Sequence, residues 1–389
     1  MKGPKHILAT IVISQFCCTS LWFAGNAVMS ELVANFKLAE SALGHLTSAV
    51  QFGFISGTLT FALLTVADRF SPSKVFFACA VIAAFFNLGM IWPGNSMQSL
   101  LLLRFFTGFM LAGIYPVGMK IATDYYNEGL GRSLGFLVGA LVVGTAFPHL
   151  LKNLTQYFSW QSVVISTSSL SIFGGTIMLL MVPDGPYRKR SQSLDISAFF
   201  NVFKNRKFRS AAFGYFGHMW ELYAFWAFVP IMLKTYNDLH GTSVNIPILS
   251  FLIIGLGGFA CVIGGYLSYI AGTQRTAFTA LLFSGICCLL SPLLFTVELP
   301  YLFVGFLFFW GLVVIADSPL FSTLVAQNAE AEIKGTALTI VNCIGFALTI
   351  FSIQLITLLY TTMDVTMIYL FLAIGPLFGL IAISRKVVS

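Results

Sequence analysis

Glu221, Asp317 and Arg104 stand inside long apolar runs, where a charge is costly and is by default a functional candidate. Glu221 lies about halfway between Arg209 and Lys234, and His218 precedes it by three residues, on the same helical face. A carboxyl beside an imidazole in a low-dielectric cavity can exchange a proton as water gains and loses access. A structural pair bonded to a neighbouring helix would leave the same signature. Asp317 comes just before Ser318 and Pro319, and the proline can bend the helix there. It could carry a proton or a cationic group, or pair with a basic residue across the bundle. Arg104 offers a planar fork that holds a carboxylate or phosphate, or that neutralises a buried acid. Lys120 precedes Asp124 by four residues, which predicts an i,i+4 pair with the lysine reaching outward.

Polar stripes mark the helices that could wall a cavity. Gln15, Thr19, Trp22 and Asn26 recur at helical spacing, Ser48 and Gln51 share a face, and so do Thr339, Asn342 and Thr349. Tyr215, Trp220, Tyr223 and Trp226 surround Glu221 in sequence and could stack on a planar ligand or fill lipid-facing space. The candidate solute contacts are therefore Arg104, Gln15, Thr19, Trp22, Asn26, Gln51, Tyr215, Trp220 and Asn342. Polar packing between helices gives the same stripes.

The elements that must position these groups follow from composition. Of 389 residues, 58% are hydrophobic and 9% charged, against about 25% charged in a soluble domain. Disordered chains, nucleic-acid-binding domains and disulfide scaffolds are excluded, which leaves a polytopic membrane protein. Twelve apolar segments are read at 6–29, 42–67, 74–93, 98–123, 132–151, 160–182, 209–233, 246–270, 276–296, 300–325, 335–360 and 366–384, each near the roughly 20 residues of a span. The first is too long for a signal-peptide core and reads as a retained helix. Seven cysteines, all in apolar runs, read as packing residues. No phosphate loop, metal-ligand cluster or catalytic set stands out, so no cofactor is expected.

Sixteen Lys and Arg, including Lys2, Arg69, Lys74, Arg132, Arg188, Arg275, Lys334 and Arg385, fall on the side of both termini and the even-to-odd loops. Only Lys37, Lys152 and Lys234 fall on the other. This bias predicts cytoplasmic termini and accounts for the net charge of +7 as topological. The widest polar stretch divides the chain into bundles at 1–182 and 209–389 with a linker at 183–208. The halves repeat: Gly108, Pro116, Asp124 and Arg132 match Gly311, Pro319, Gln327 and Lys334 at an offset of 202–203 residues. Two six-helix repeats around a central site is a transporter layout.

At its loops the chain resembles the major facilitator superfamily. The segment Leu64 to Lys74, with Asp68, Arg69 and Lys74, is similar to that family's G-x-x-x-D-R-x-G-R-K loop, although both glycines are replaced. Gly264, Gly265, Gly272 and Arg275 resemble the same loop in the second half, with Tyr269 where the acid would stand. Arg104 to Gly108 is similar to its R-x-x-x-G segment, and Asp124 to Arg132 to its acid–arginine loop. Span five lacks the Gly-Pro pair of the family's antiporters. The resemblance implies gating roles for Asp68, Arg69, Lys74, Asp124, Arg132 and Arg275, whose pairing would hold one bundle arrangement closed.

The expectation is an all-α membrane protein of 12 transmembrane helices in two pseudo-symmetric six-helix bundles. It would act as a monomer and move a small polar or anionic organic solute across an inner membrane. Glu221, His218 and Asp317 would carry the coupled proton, with the lipid bilayer as the other partner and no nucleic acid. The rivals are an efflux antiporter for amphipathic compounds and a solute sensor that does not transport. A membrane enzyme is the weakest reading.

Overall fold

The structure is a computed structural model that describes residues 5–126, 130–155, 157–188, 202–330 and 334–384. Several charges of the topological count (Lys2, Lys189, Arg190, Arg385 and Lys386), the Arg132 side chain, and residues 189–201 of the expected linker lie outside the described residues. Among the described residues all regular structure is helical. The chain divides into two compact units, Met1–Ser193 and Leu194–Ser389.

The N-terminal unit contains α1 (Lys5–Thr19), α2 (Ala24–Ala27), α3 (Met29–Phe36), α4 (Ala42–Leu63), α5 (Val66–Arg69), α6 (Pro72–Leu88), α7 (Met97–Leu111), α8 (Tyr115–Tyr125), α9 (Leu130–Leu154) and α10 (Gln161–Met181). The C-terminal unit contains α11 (Arg206–His240), α12 (Ile246–Gly255), α13 (Gly257–Ala271), α14 (Thr273–Phe295), α15 (Pro300–Ala316), α16 (Ser318–Asn328), α17 (Lys334–Thr362) and α18 (Ile374–Ser384), the last preceded by a 3₁₀ turn over Ile368–Ala373. Each apolar segment of the sequence coincides with one helix or a broken run of helices. Among the described residues, nine such runs are long and apolar enough to cross a membrane. The other three segments depart for visible reasons. The first is interrupted between Thr19 and Ala24 and continues to Phe36, past its expected end. The seventh is 35 residues long but carries His218, Glu221 and several Tyr and Trp. The last, Ile368–Ser384, opens with the 3₁₀ turn and is short for a span.

Two of the breaks, α7 to α8 and α15 to α16, fall beside prolines. Pro116 and Pro319 both sit in the first turn of the second half-helix, in α8 and α16, and they are 203 residues apart. The same offset governs helix contact. A Cβ on Gly108 of α7 would lie 2.0 Å from the Val50 carbonyl oxygen on α4. A Cβ on Gly311 of α15 would lie 2.3 Å from that of Ile253 on α12. Glycine at both places lets two backbones touch, as membrane helices without a hydrophobic driving force require. The two units thus repeat one packing device.

Candidate functional site

In the C-terminal unit the Glu221 carboxylate, 1% exposed, is gripped from one side. Its Oε1 accepts from Ser284 Oγ at 2.5 Å, Trp310 Nε1 at 2.5 Å and Cys288 Sγ at 3.3 Å. Ser284 and Cys288 are one turn apart on α14, so both point the same way, and Trp310 comes from α15. Among the described residues Oε2 has no hydrogen-bond partner. One turn back on α11, His218 Nδ1 lies 2.8 Å from Asp317 Oδ1, both side chains being 1% exposed. Asp317 occupies the break between α15 and α16, as the N-cap residue of α16, where the helix dipole favours a negative charge. His218 Nε2 and Asp317 Oδ2 have no hydrogen-bond partner among the described residues.

Glu221, His218 and Asp317 therefore stand on two elements at one level of α11, as a neutral-donor-bound acid beside a histidine–aspartate pair. Ser284 and Trp310 are absent from the sequence reading, which treats Cys288 as packing. The only hint is the four-residue spacing of Ser284 and Cys288. Tyr215 turns elsewhere: its hydroxyl donates to Asn342 Oδ1 at 3.0 Å, tying α11 to α17. Trp220 donates its indole N–H to the Phe371 carbonyl at 3.2 Å, on another side of α11 from Glu221.

In the N-terminal unit the interruption after α1 frees the Leu21 and Trp22 carbonyls. Inside a membrane such carbonyls must be satisfied by protein. Arg104 of α7 does this, donating to Leu21 O at 3.1 Å, to Trp22 O, and to Asn87 Oδ1 at 3.4 Å. The fork that the sequence reading aims at a solute charge is turned onto main chain and is 1% exposed. Gly25 lies alongside it, where a Cβ would come 3.4 Å from Arg104 Nε, within ordinary contact. Asn87 is held in turn, its amide reaching Ser168 Oγ at 2.9 Å and Thr167 Oγ1 at 3.2 Å. Trp22 is buried against Phe54, and Asn26 donates to Thr47 at 2.9 Å. Thr19 donates to the Gln15 carbonyl at 2.8 Å and faces Gly144, where a Cβ would lie 2.1 Å from its Oγ1.

Gln15 and Gln51 differ from these residues. Each is fully buried, and both carboxamide atoms of each lack a hydrogen-bond partner among the described residues. Gln15 faces Gly118. It is also 203 residues before His218, so the two occupy equivalent places in the repeat. A buried amide left unmatched is costly and calls for a physical explanation.

Of the loop residues, Lys120 Nζ lies 2.8 Å from Asp68 Oδ1 and 3.8 Å from Asp124 Oδ1. The nearer partner is thus Asp68 and not the i,i+4 acid. Arg69 donates to Thr65 at 3.1 Å; Lys74 and Arg275 are exposed. Two residues outside the expected gating set, Asp184 and Arg188, join this network. Arg188, beyond α10, pairs with Asp184 and donates to the Asp68 and Phe70 carbonyls at 3.1 and 2.8 Å. Asp184 accepts from Ser71 at 2.7 Å.

Apolar helices of membrane-crossing length, a repeat of helix contacts and ionisable groups buried at mid-helix define a multi-pass membrane transporter. Residues 11–353 match the family model of the Major Facilitator Superfamily, and the chain belongs to that superfamily of transporters; it is not an enzyme. The 4-hydroxybenzoate transporter PcaK of Pseudomonas aeruginosa is 25% identical over 163 residues, 39% of this chain and 34% of that protein. A putative multidrug resistance protein, MdtD of Serratia proteamaculans, is 29% identical over 170 residues, 41% of this chain and 34% of that one. The chain thus spans about a third of the length of these relatives. The fold is shared with a mutant form of the nucleoside transporter NupG, at a TM-score of 0.74 and 14% identity, covering 97% of this chain and 98% of that one.

Proposed function

We propose that this protein is a proton-coupled secondary transporter that carries a small polar or anionic organic solute across the bacterial inner membrane by alternating access. It would work as a monomer with both termini cytoplasmic, as the Lys and Arg distribution suggests. The observation that carries the reading is Glu221. One oxygen is fixed by three uncharged donors and the other has no partner among the described residues. A buried carboxylate without a countercharge within bonding distance has a charge state that follows the access of water. The adjacent His218–Asp317 pair supplies a second proton-accepting group within the same unit.

For the solute, Gln15 and Gln51 each offer an unmatched donor and acceptor, which suit a carbonyl, carboxylate or hydroxyl. Arg104 acts through the break that it holds in the first span, and Asp68, Lys120, Asp124 and Arg188 act as a cytoplasmic latch. The relationship to a 4-hydroxybenzoate transporter makes aromatic carboxylates the first compounds to try. The test is uptake into proteoliposomes under an imposed pH gradient. Wild type should accumulate solute, and Glu221→Gln should only equilibrate it. Unchanged accumulation by Glu221→Gln would reject the proton role; binding with no flux in wild type would favour a sensor.

A second reading rests on the aromatic pair beside Glu221, where Phe225 and Trp310 lie 4.6 Å apart, and on the similarity to a putative multidrug protein. Here Glu221 binds a lipophilic cation and the direction is outward. Proton release on adding such a cation, lost in Glu221→Gln, would mark it.

A further inference from the structure

A groove of about 1060 Å³ runs along the C-terminal unit between α11, α17 and α18. Its chemistry is graded. Arg206, Arg209 and Ser210 line one end, and Phe213, Phe216 and Trp220 follow along α11. Ser210 to Trp220 is ten residues, about 15 Å of helix, which is half of the roughly 30 Å hydrocarbon core. The apolar part is therefore one leaflet deep. Its rim is open, with Phe213 46% and Phe378 65% exposed. The floor is low because α11 and α18 touch through glycines: a Cβ on Gly217 would lie 2.4 Å from the Gly375 carbonyl. Trp220 is fixed at the deep end by its bond to Phe371.

Among the described residues the basic end has no acid to neutralise it. Among the described residues neither Arg206 nor Arg209 forms an ion pair, and no acidic side chain lines the groove. Arg209 donates to the Phe203 carbonyl at a long 3.4 Å. The two arginines are three residues apart and share a helical face. The first N–H groups of α11 are occupied by Asn205, which accepts from Lys207 N and Phe208 N, so the attraction for an anion comes from side chains. Two guanidinium groups without an ion pair among the described residues, above an apolar channel of leaflet depth, complement a phosphate carried on acyl chains.

We propose that this groove binds one anionic phospholipid of the cytoplasmic leaflet. Its phosphate sits between Arg206 and Arg209, and an acyl chain lies along Phe213, Phe216 and Phe378. The leaflet rests on the orientation given above, whereas the lipid site does not depend on solute or coupling ion.

The test is native mass spectrometry of the purified full chain with added phosphatidylglycerol or phosphatidylcholine of equal chain length, alongside thermal unfolding with each. Two arginines at a membrane surface are worth roughly thirtyfold in affinity. Wild type should hold one phosphatidylglycerol about that much more tightly than phosphatidylcholine. Arg206→Ala/Arg209→Ala should lose the preference, and Arg206→Lys/Arg209→Lys should keep part of it. Equal retention of the two lipids by wild type would overturn the proposal without using a variant. So would a double-alanine protein that folds and still prefers phosphatidylglycerol, or a stabilisation reproduced in full by inorganic phosphate. None of these outcomes bears on Glu221, so lipid site and transport reading fail separately.

Discussion

His218 Nδ1 lies 2.8 Å from Asp317 Oδ1 across the break between α15 and α16, with both side chains 1% exposed. A contact of this kind is asymmetric in its energetics. Deleting one partner strands the other in a medium that solvates it poorly, at a cost of about 3–5 kcal/mol, whereas replacing both with apolar groups is often neutral. Asp317→Leu and His218→Leu should each lower the unfolding temperature sharply, and the double variant should recover most of it. A double-mutant cycle by fluorescence-detected unfolding measures the coupling. Additive losses would mean that the pair is not an energetic unit.

Glu221 separates stability from coupling. Glu221→Gln keeps an acceptor for Ser284 and Trp310, so the protein should unfold near the wild-type temperature while gradient-driven accumulation is lost and solute exchange survives. Glu221→Ala removes the acceptor and leaves three buried donors unmatched, of which the Ser284 O–H and the Trp310 N–H cost about 1–3 kcal/mol each. It should express poorly or unfold early. A Glu221→Gln protein as unstable as Glu221→Ala would show that the carboxylate is structural.

The sequence reads most clearly where physics makes a residue rare. A charge inside an apolar run has few innocent explanations, so Glu221, Asp317 and Arg104 stand out. Trp310 and Ser284 do not, because a tryptophan or serine in a membrane helix is ordinary. Their meeting with Glu221 depends on how helices 89 and 63 residues away in sequence are packed. The fold is legible through segment length and the 203-residue offset. The break after α1 is hidden, since no proline marks Ser20 to Phe23 and its stabilising partner, Arg104, comes from 83 residues downstream. For the same reason the destination of the Arg104 fork cannot be read from its residue type.

Arg104 is accordingly expected to behave as a structural cation. Hydrogen bonds to a charged group are worth about 1.5–3 kcal/mol each, and Arg104 satisfies two main-chain carbonyls that have left the helical ladder. Arg104→Ala should destabilise the protein by about 3 kcal/mol or more. Arg104→Lys should restore little, because an ammonium cannot reproduce the fork. Thermal unfolding with and without solute distinguishes this from a binding role: a variant of near-normal stability that has lost the ligand-induced shift would make Arg104 a solute contact.

The network of Asp68, Lys120, Asp124 and Arg188 should act on rate more than on stability. Lys120 and Asp68 are part-buried, at 22% and 15% exposed, and keep some access to water, so the pair should contribute about 1 kcal/mol, the upper end for pairs at a surface. Lys120→Ala and Arg188→Ala should each unfold within a few degrees of wild type yet change the maximal transport rate, and raising the salt concentration should shift wild type towards them. Rates indifferent to both substitutions would leave Asp68, Asp124 and Arg188 as topological charges.

The repeated glycine contact allows the most direct check of the fold. A methyl group on Gly108 or Gly311 meets a carbonyl oxygen of the facing helix at 2.0 or 2.3 Å. The obstacle is backbone, which cannot rotate away, so α7 must separate from α4, or α15 from α12. Overpacking costs about 1–3 kcal/mol even where side chains can adjust, and here the loss should reach at least that range. Gly305 lies on the same helix as Gly311 but would meet nothing within 4 Å, so Gly305→Ala removes only glycine's conformational freedom and should be neutral or slightly stabilising. Unfolding temperatures of Gly108→Ala, Gly311→Ala and Gly305→Ala, measured side by side, should show two large losses and one unchanged value. Three similar values would mean that the close approach at Val50 and Ile253 does not hold the two units together internally.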